Sequence, residues 1–376
     1  MPHPQFKRNE IHVKPLAERV NKLDIVRDVI DAESYSGTLS PEAEEDVARA
    51  AAELRRARDC GAARILAFGA HSIKNGLGLT LAALAEEGWI THLATNGAGI
   101  IHDWEFAFQG KSGEDVHRYT TEGQFGIWNE TGTCLNLALI VGAWRGLGYG
   151  ESVGTMAQNE ELVIPSDTEL LAAIEKSGLP AATPEQLDRA AAASDLLAAK
   201  RRFNYPQEEY ILKIPHPWKK YSLAFRMVAA NIPFTCHPMF GHDIIYTHPM
   251  NCGAAIGRTA QIDFLSYANS VSQLQGGVYL SVGSAVMSPM IFEKSLSMSR
   301  NLALHDGKNI TDFTIHVVDL AQSTWDWTKE GEPPMDNPAY YLRFCKTFSR
   351  MGGQMSYTSA DNRTWLVHLL RTLRSE

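Results

Sequence analysis

Three histidines and an aspartate stand close together in the segment HPMFGHDIIYTH, which spans residues 237–248. His237, His242, Asp243 and His248 are of the types that bind zinc or move protons. Their spacing matches no standard zinc pattern, and two of the histidines precede proline, where they help to shape turns. The segment leaves a metal-dependent hydrolase open as an alternative, but we predict no metal site here.

A second polar group follows the glycine-rich turn TNGAG at residues 95–99. His102, Asp103 and Glu105 come shortly after this turn. The helix dipole explains one acid near a helix start. It explains less well three polar side chains together at the carboxyl end of a strand, which indicates a candidate site.

Lys346 lies between Phe344 and Phe348. A lysine in apolar surroundings loses hydration, lowers its pKa and can act as an amine nucleophile. The alternative is a lysine on an amphipathic helix that extends its charge to water. Taken alone, the pattern favours this alternative.

Two stretches of the sequence predict the scaffold that must position these residues. In the first, a buried strand at residues 64–68 and a strand at 90–94 enclose a helix at 77–87. In the second, strands at 277–282 and 313–318 enclose a helix that runs from Ser288 to Arg300. Two such βαβ units predict an α/β fold with a doubly wound, mainly parallel, Rossmann-like sheet and helical elaborations.

The remaining stretches set the expected domain organisation. We expect residues 1–60 to form an N-terminal arm and a helix that Ser40 caps, and 61–376 to form a single NAD-binding domain. The Ala/Glu-rich stretch at about 151–206 predicts a helical insertion in that domain. Residues 244–246 predict a short strand.

Ligands of doubly wound sheets bind beyond the carboxyl ends of the strands. The turns after these strands contain glycines, which let backbone N–H groups approach a phosphate. The dinucleotide fingerprint GxGxxG is absent, and the near match at residues 146–150 follows a helical run. A dinucleotide must therefore use other turns, and we predict NAD at residues 69–76 and 95–97.

Several segments together resemble the deoxyhypusine synthase family, which includes homospermidine synthases. The resemblance covers about residues 64–142 and 221–373, and the order of its blocks carries it. The blocks are Gly69–Gly76, Thr95–Gly99, Asn231–Phe234 leading to His242-Asp243, Gly277–Gly283, Ala321-Gln322 and Ala360-Asp361.

The resemblance implies NAD as cofactor, a homotetramer with active sites at subunit interfaces, and a polyamine-like substrate. It also implies an imine on a lysine, and Lys346 stands at about the family's interval before Asp361. Asp243 would hold the substrate ammonium, and His242 or Asp103 would move protons. The implied NAD-binding residues are Ala70, His71, Ser72, Thr95, Asn96, Gly97, Gly283, Ala321, Ala360 and Asp361.

The expected function is therefore a redox-neutral, NAD-dependent transferase that acts on an amine. Three alternatives remain: an enzyme of the same fold that acts on a polyol or sugar, the metal-dependent hydrolase, and a chain that kept the fold without catalysis. The chain departs from the family at several positions, for example with Phe344-Cys345-Lys346 in place of its Trp-Gly-Lys. These departures leave NAD binding better supported than polyamine chemistry.

Composition narrows the partners and the compartment. The net charge of -8 and the lack of a Lys/Arg stripe argue against nucleic acid. No apolar run reaches the ~18–20 residues that cross a bilayer, and residues 1–14 lack the apolar segment of a signal peptide. Five cysteines without a CxxC pair indicate free thiols. We expect a cytoplasmic protein with a small-molecule substrate.

Overall fold

The structure is a computed structural model that describes residues 3–178 and 180–375. Met1 and Pro2 in the expected arm, Leu179 in the expected insertion and Glu376 lie outside the described residues. The chain divides into two compact units. The first unit comprises Met1–Asp24, Ile101–Phe225 and Pro238–Asp263, and the second comprises Ile25–Ile100, Arg226–His237 and Phe264–Glu376.

The strands are short, and most belong to the second unit. In chain order they are β1 (Leu23–Asp24), β2 (Arg64–Phe68), β3 (His92–Thr95), β4 (Lys111–Ser112), β5 (Glu161–Ile164), β6 (Tyr210–Lys213), β7 (Phe234–Cys236), β8 (Gly277–Val282), β9 (Phe313–Asp319) and β10 (Gln354–Ser359).

The helices precede, connect and follow these strands. They are α1 (Ile25–Asp28), α2 (Pro41–Asp59), α3 (Ala70–Lys74), α4 (Gly78–Glu86), α5 (Gly97–Gln109), α6 (Val116–Thr121), α7 (Asn129–Arg145), α8 (Tyr149–Asn159), α9 (Asp167–Ser177), α10 (Pro184–Arg202), α11 (Leu223–Ala230), α12 (Gly253–Ser272), α13 (Met287–His305), α14 (Trp327–Glu330), α15 (Arg343–Ser349) and α16 (Asn362–Arg374).

The second unit is built on a six-stranded sheet in which every neighbouring pair is parallel. Its order is β10-β9-β8-β2-β3-β7. All residues of β2 and β8 are buried, as expected for apolar runs that are covered by helices on both faces. The predicted α/β, Rossmann-like fold is confirmed.

The local predictions in this unit are mostly confirmed as well. Ser40 caps α2 by accepting a hydrogen bond from the Ala43 amide. The turn predicted at residues 69–76 contains the one-turn helix α3. Strand β10 was not predicted, because its sequence QMSYTS is mostly polar and lacks a continuous apolar run, although Ser356 and Thr358 are buried.

The first unit is mainly helical and contains two antiparallel pairs, β1 with β4 and β5 with β6. Apolar residues on nearly all sides of α7 are buried, which makes it the central helix of this unit. The strand predicted at residues 244–246 is wrong: Ile244–Thr247 form a 3₁₀ helix. The expected boundary at residue 60 and the insertion at 151–206 stay predictions.

Within residues 3–178 and 180–375, no helix is both long and apolar enough to cross a membrane.

Candidate functional site

The strand order of the second unit reverses direction between β2 and β8. Numbered along the chain, the six strands have the order 3-2-1-4-5-6, the order of dinucleotide-binding folds. The reversal lies at the centre of the sheet, where the Gly69 amide donates to the Val282 carbonyl at 3.2 Å. Ligands of such sheets bind in the crevice at this position, beyond the carboxyl ends of the strands.

Three loops meet tightly at the reversal. A Cβ added at Gly69 would lie 2.1 Å from the carbonyl oxygen of Gly283. Gly283 has a φ of +59°, and a Cβ there would lie 2.1 Å from Nδ2 of Asn362. Only glycine fits either position, so the segments that follow β2, β8 and β10 are held together without intervening side chains.

The same edge carries buried oxygen atoms with no hydrogen-bond partner in the described part of the chain. They are Oγ of Ser72, Oγ of Ser359 and Oδ1 of Asn362. Ser72 follows β2, Ser359 is the last residue of β10, and Asn362 follows β10. Buried polar atoms are nearly always paired, so three unpaired oxygens along one edge match a site where a ligand supplies the missing partners.

The helix N-termini on this edge differ in their caps. Asp361 caps α16 by accepting hydrogen bonds from the amides of Arg363 and Thr364 at 3.0 and 3.2 Å. The first residues of α3 have no such side-chain cap. At the start of the 19-residue helix α13, next to the strand reversal, Oγ of Ser284 accepts from the Ser288 amide at 3.2 Å, and Pro289 has no N–H group. Few N–H groups of α13 are therefore left for an anionic group.

All the residues predicted to bind NAD lie along this edge. Oγ1 of Thr95 donates to the Phe68 carbonyl at 3.1 Å, and Oδ1 of Asn96 accepts from the Gly99 amide at 2.9 Å. The amides of Ala321 and Ala360 both donate to Asp319, at 3.0 Å each. The edge also carries Ala70, His71 and Ser72 in α3, Gly97 at the start of α5, Gly283 after β8 and Asp361 after β10. Their role in binding stays a prediction.

Asp103 belongs to the first unit and is completely buried. Its carboxylate accepts from Oγ of Ser222 at 2.6 Å and from the amides of Leu223 and Ala224 at 2.7 and 3.0 Å. Burial raises its pKa to about 6, although these hydrogen bonds act in the opposite direction. The contacts are those of a cap for α11, and its predicted proton transfer stays a prediction.

Two other predicted residues, His242 and Asp243, also belong to the first unit. His242 is exposed, whereas Asp243 is buried and precedes the 3₁₀ helix Ile244–Thr247. Glu105, near Asp103 in the sequence, forms a buried bidentate ion pair with Arg19 at 2.7 and 2.8 Å. That pair neutralises Glu105, which leaves it unsuited to bind a substrate cation.

Lys346 lies in α15 of the second unit. Its Nζ is 3.6 Å from the centroid of the Tyr340 ring, a cation–π contact that an ammonium makes. The sequence analysis named Phe344 and Phe348 as its aromatic neighbours and did not find Tyr340.

The three histidines of the segment 237–248 do not belong to one unit. His237 belongs to the second unit, and His242 and His248 belong to the first. Nδ1 of His248 accepts from the Met250 amide at 3.1 Å, and burial lowers its pKa to about 4. Among the described residues, no group of three or more His, Cys, Asp or Glu side chains could hold a metal ion.

Sequence reasoning missed Ser359 and Asn362, although both flank the predicted Ala360-Asp361 turn. Neither carries a charge or a motif, so only the contact of Asn362 with Gly283 reveals it. The sequence did contain one signal that the loops approach closely here: Gly69 follows the predicted strand at residues 64–68, and Gly283 follows the predicted strand at 277–282.

Comparisons with known proteins give structural matches only. No family model and no curated protein matches the chain. The arginine dihydrolase ArgZ of the ornithine-ammonia cycle in cyanobacteria matches 88% of this chain and 33% of its own, at 14% identity and a TM-score of 0.38. The ternary complex of AgrE with ornithine and NAD+ matches 91% and 34%, at 15% identity and a TM-score of 0.42.

A LOR/SDH protein from Methanococcus maripaludis S2 matches 92% of this chain and 73% of its own, at 14% identity and a TM-score of 0.43. The chain thus spans about a third of the length of ArgZ and AgrE.

These matches correct the expected family. The resemblance to deoxyhypusine synthase is wrong, because the solved structures matched here are ArgZ, AgrE and a LOR/SDH protein. The same matches correct the expected function. This function was a redox-neutral transferase with a polyamine substrate, together with its alternatives. The covalent role of Lys346 belonged to that reaction and is not carried further.

Proposed function

We propose that the chain is an NAD-dependent oxidoreductase of the dehydrogenase type, with its cofactor bound at the carboxyl edge of the second unit's sheet. The observation that carries the proposal is the strand reversal between β2 and β8, with the unpaired oxygens of Ser72 and Asn362 beside it. An unmade hydrogen bond of a buried polar group costs roughly 1–3 kcal/mol. A ligand that occupies this edge would recover part of that free energy.

The residues present fit a dinucleotide. Gly69 and Gly283 bring the backbone of two loops together without side chains, which lets the backbone approach a pyrophosphate closely. Asn362 and Ser72 offer neutral oxygens that suit ribose hydroxyls or a carboxamide. Bound NAD+ would accept a hydride from the substrate, and the protein would bind, orient and exchange protons.

Calorimetric titration with NAD+ and NADH tests the proposal. The informative variant is Gly283→Ala, whose new methyl group would collide with Asn362 and displace it from the site. Gly307→Ala is the matched control, because Gly307 has a similar φ of +69° but open space around the added Cβ.

Both substitutions strain the backbone, by roughly 1–2 kcal/mol. Only Gly283→Ala should weaken NAD+ binding. Equal affinities of the two variants, or no binding by the unmodified protein, would overturn the proposal.

We further propose a small-molecule substrate, a homotetramer and a cytoplasmic location. The AgrE complex contains ornithine and NAD+, and we choose ornithine as the first compound to test for NAD+ reduction. Light scattering at micromolar concentration tests the tetramer, and a monomeric mass would contradict it.

A further inference from the structure

Two buried histidines of the second unit are joined through one threonine hydroxyl. Nε2 of His237 lies 3.0 Å from Oγ1 of Thr235, and Nε2 of His92 lies 2.9 Å from the same atom. Nδ1 of His92 continues the chain to Oγ of Ser270 at 2.8 Å. Four side chains thus form one continuous line of hydrogen bonds.

The threonine couples the proton positions of the two rings. Its hydroxyl has a single hydrogen and can donate it to only one of the two Nε2 atoms. The other Nε2 must then carry a hydrogen and donate it to Oγ1. The chain therefore has two proton arrangements of opposite direction, and a proton that enters at one end converts one arrangement into the other.

Both rings are neutral in the folded protein. Burial lowers the pKa of His92 to about 3, and burial together with the neighbouring His92 lowers that of His237 to about 3. The rings of both histidines pack edge-on against Tyr267. A neutral imidazole has one donor and one acceptor, as a relay requires.

The chain begins at the proposed cofactor edge. His237 directly follows β7, and its amide donates to the Thr95 carbonyl at 2.8 Å. His237 is 7% exposed, whereas His92 is completely buried. Asp319 and Asp361, two acids on the same edge, already accept backbone hydrogen bonds from Ala321, Arg363 and Thr364.

We propose that His237 is a catalytic residue that takes up the substrate proton, and that Thr235 and His92 relay it to Ser270. This inference rests on the proposed function, since the proton is released only when NAD+ oxidises a substrate. The substrate class is a small molecule with a hydrogen on the reacting carbon and an N–H or O–H beside it.

Oxidation of the substrate would release one hydride and one proton. Bound NAD+ would take the C–H hydrogen with its electron pair, and the carbon would form a double bond to the nitrogen or oxygen. The proton of that N–H or O–H binds to Nδ1 of His237. The proton on Nε2 of His237 moves to Oγ1 of Thr235, whose own proton moves to Nε2 of His92. The proton on Nδ1 of His92 passes to Ser270 and then to water.

Histidine modification tests the position of His237 without a known substrate. Diethyl pyrocarbonate acylates neutral imidazole nitrogens, and mass spectrometry of peptides gives the rate at each histidine. We expect His237 to react in the free protein. NAD+ at about one hundred times its Kd should slow that reaction by about tenfold or more, since about 1% of the protein is then free.

His305 is the control, because its side chain is 89% exposed at the far end of α13 and its rate should not change. Calorimetry on the same sample separates the two proposals. Absence of NAD+ binding would overturn both. Binding without protection of His237, or a His237 that does not react at all, would overturn only the inference.

The relay itself is tested by Thr235→Val, with Thr235→Ser as the conservative control. Valine keeps the shape but removes the hydroxyl, so the proton positions of His92 and His237 should become independent. Serine should preserve the coupling.

Nitrogen-15 spectra of labelled histidine report these tautomers directly. In the unmodified protein one Nε2 should carry a hydrogen while the other does not. Two rings with the same tautomer in the unmodified protein would overturn the relay, even if the valine variant failed to fold.

Discussion

The second unit contains two buried histidine clusters of opposite electrostatic character. His316 lies between two carboxylates, with Nδ1 3.0 Å from Asp46 and Nε2 2.7 Å from Glu53. Burial opposes its charge, but the hydrogen bonds and charges of the two acids outweigh this and raise its pKa to about 9. His92 and His237 face a neutral threonine instead, and burial lowers their pKa values to about 3.

The difference shows what each cluster can do. His316 is fixed as a cation in an ion network that joins β9 to α2. Ser356 and Trp365 donate to Asp46 at 3.0 and 3.1 Å, and Arg49 forms an ion pair with it. A fixed charge stabilises the packing of a helix on a sheet but cannot exchange protons readily near neutral pH. Each ring of the neutral pair keeps one donor and one acceptor nitrogen, so a proton can pass along the pair without either ring holding a lasting charge.

The largest expected effect comes from Asp46→Ala. It leaves His316 and Trp365 without their shared acceptor, and removing one partner of a buried ion pair costs about 3–5 kcal/mol. Urea denaturation measures the free energy of unfolding. Glu45→Ala, an exposed acid on the same helix, is the control and should change it little. A loss equal to that of the control would show that the network does not stabilise the unit.

The pH dependence of stability should show the two clusters separately. The folded pKa of His316 lies above the ordinary value of 6.5, so its contribution is complete below pH 6.5 and lost as the pH rises through about 9. The shift corresponds to roughly 3 kcal/mol. The folded pKa values of His92 and His237 are lowered, so their contribution is complete above pH 6.5 and lost as the pH falls toward 3.

Denaturation at a series of pH values checks this dependence. We expect His316→Gln to remove the decrease between pH 6.5 and 9. It should also change the acid side, because His316 helps to lower the pKa values of Asp46 and Glu53. If the variant kept the decrease in the free energy of unfolding at alkaline pH, that decrease would have to come from another titrating group.

Thr235→Val should have a smaller effect on stability than Asp46→Ala. It breaks two hydrogen bonds to neutral rings, and a buried polar group left unpaired costs roughly 1–3 kcal/mol. Thr235→Ser, which keeps the hydroxyl, should recover most of the loss in urea denaturation. Equal loss in both variants would mean that packing of the threonine methyl group, and not the hydroxyl, is responsible.

Ser72→Ala should have the smallest effect, and on binding only. The Ser72 hydroxyl has no partner within the described chain, so its removal should not lower the free energy of unfolding. It should weaken NAD+ binding by about 0.5–1.5 kcal/mol, the net value of one hydrogen bond. Ser299→Ala is the opposite control, because Ser299 donates to the Ala268 carbonyl and should affect folding alone.

The sequence predicted the centre of the sheet well and its margins poorly. Gly277–Val282 was found with both of its ends, because a strand covered on both faces is a continuous apolar run. Residues 244–246 have a similar apolar character but form a 3₁₀ helix, because three residues are too few to distinguish the two periodicities.

The candidate site was predictable only where glycines follow strands. Gly283 was found in this way, whereas Asn362, its contact, was not. The histidine clusters depend on contacts between residues far apart in the chain: His316 and Asp46 are separated by 270 residues, and His92 and Thr235 by 143. Residue type alone could not distinguish the charged histidine from the neutral pair.

The most direct test of the account is a nitrogen-15 histidine spectrum recorded at pH 7.5 with and without NAD+. The account predicts a doubly protonated His316 and neutral His92 and His237 rings. Addition of NAD+ should shift the signals of His237 and, through Thr235, those of His92, while His316 stays unchanged. If bound NAD+ left His237 unchanged, or shifted His316 instead, His237 would not face the cofactor and the proposed relay would be contradicted.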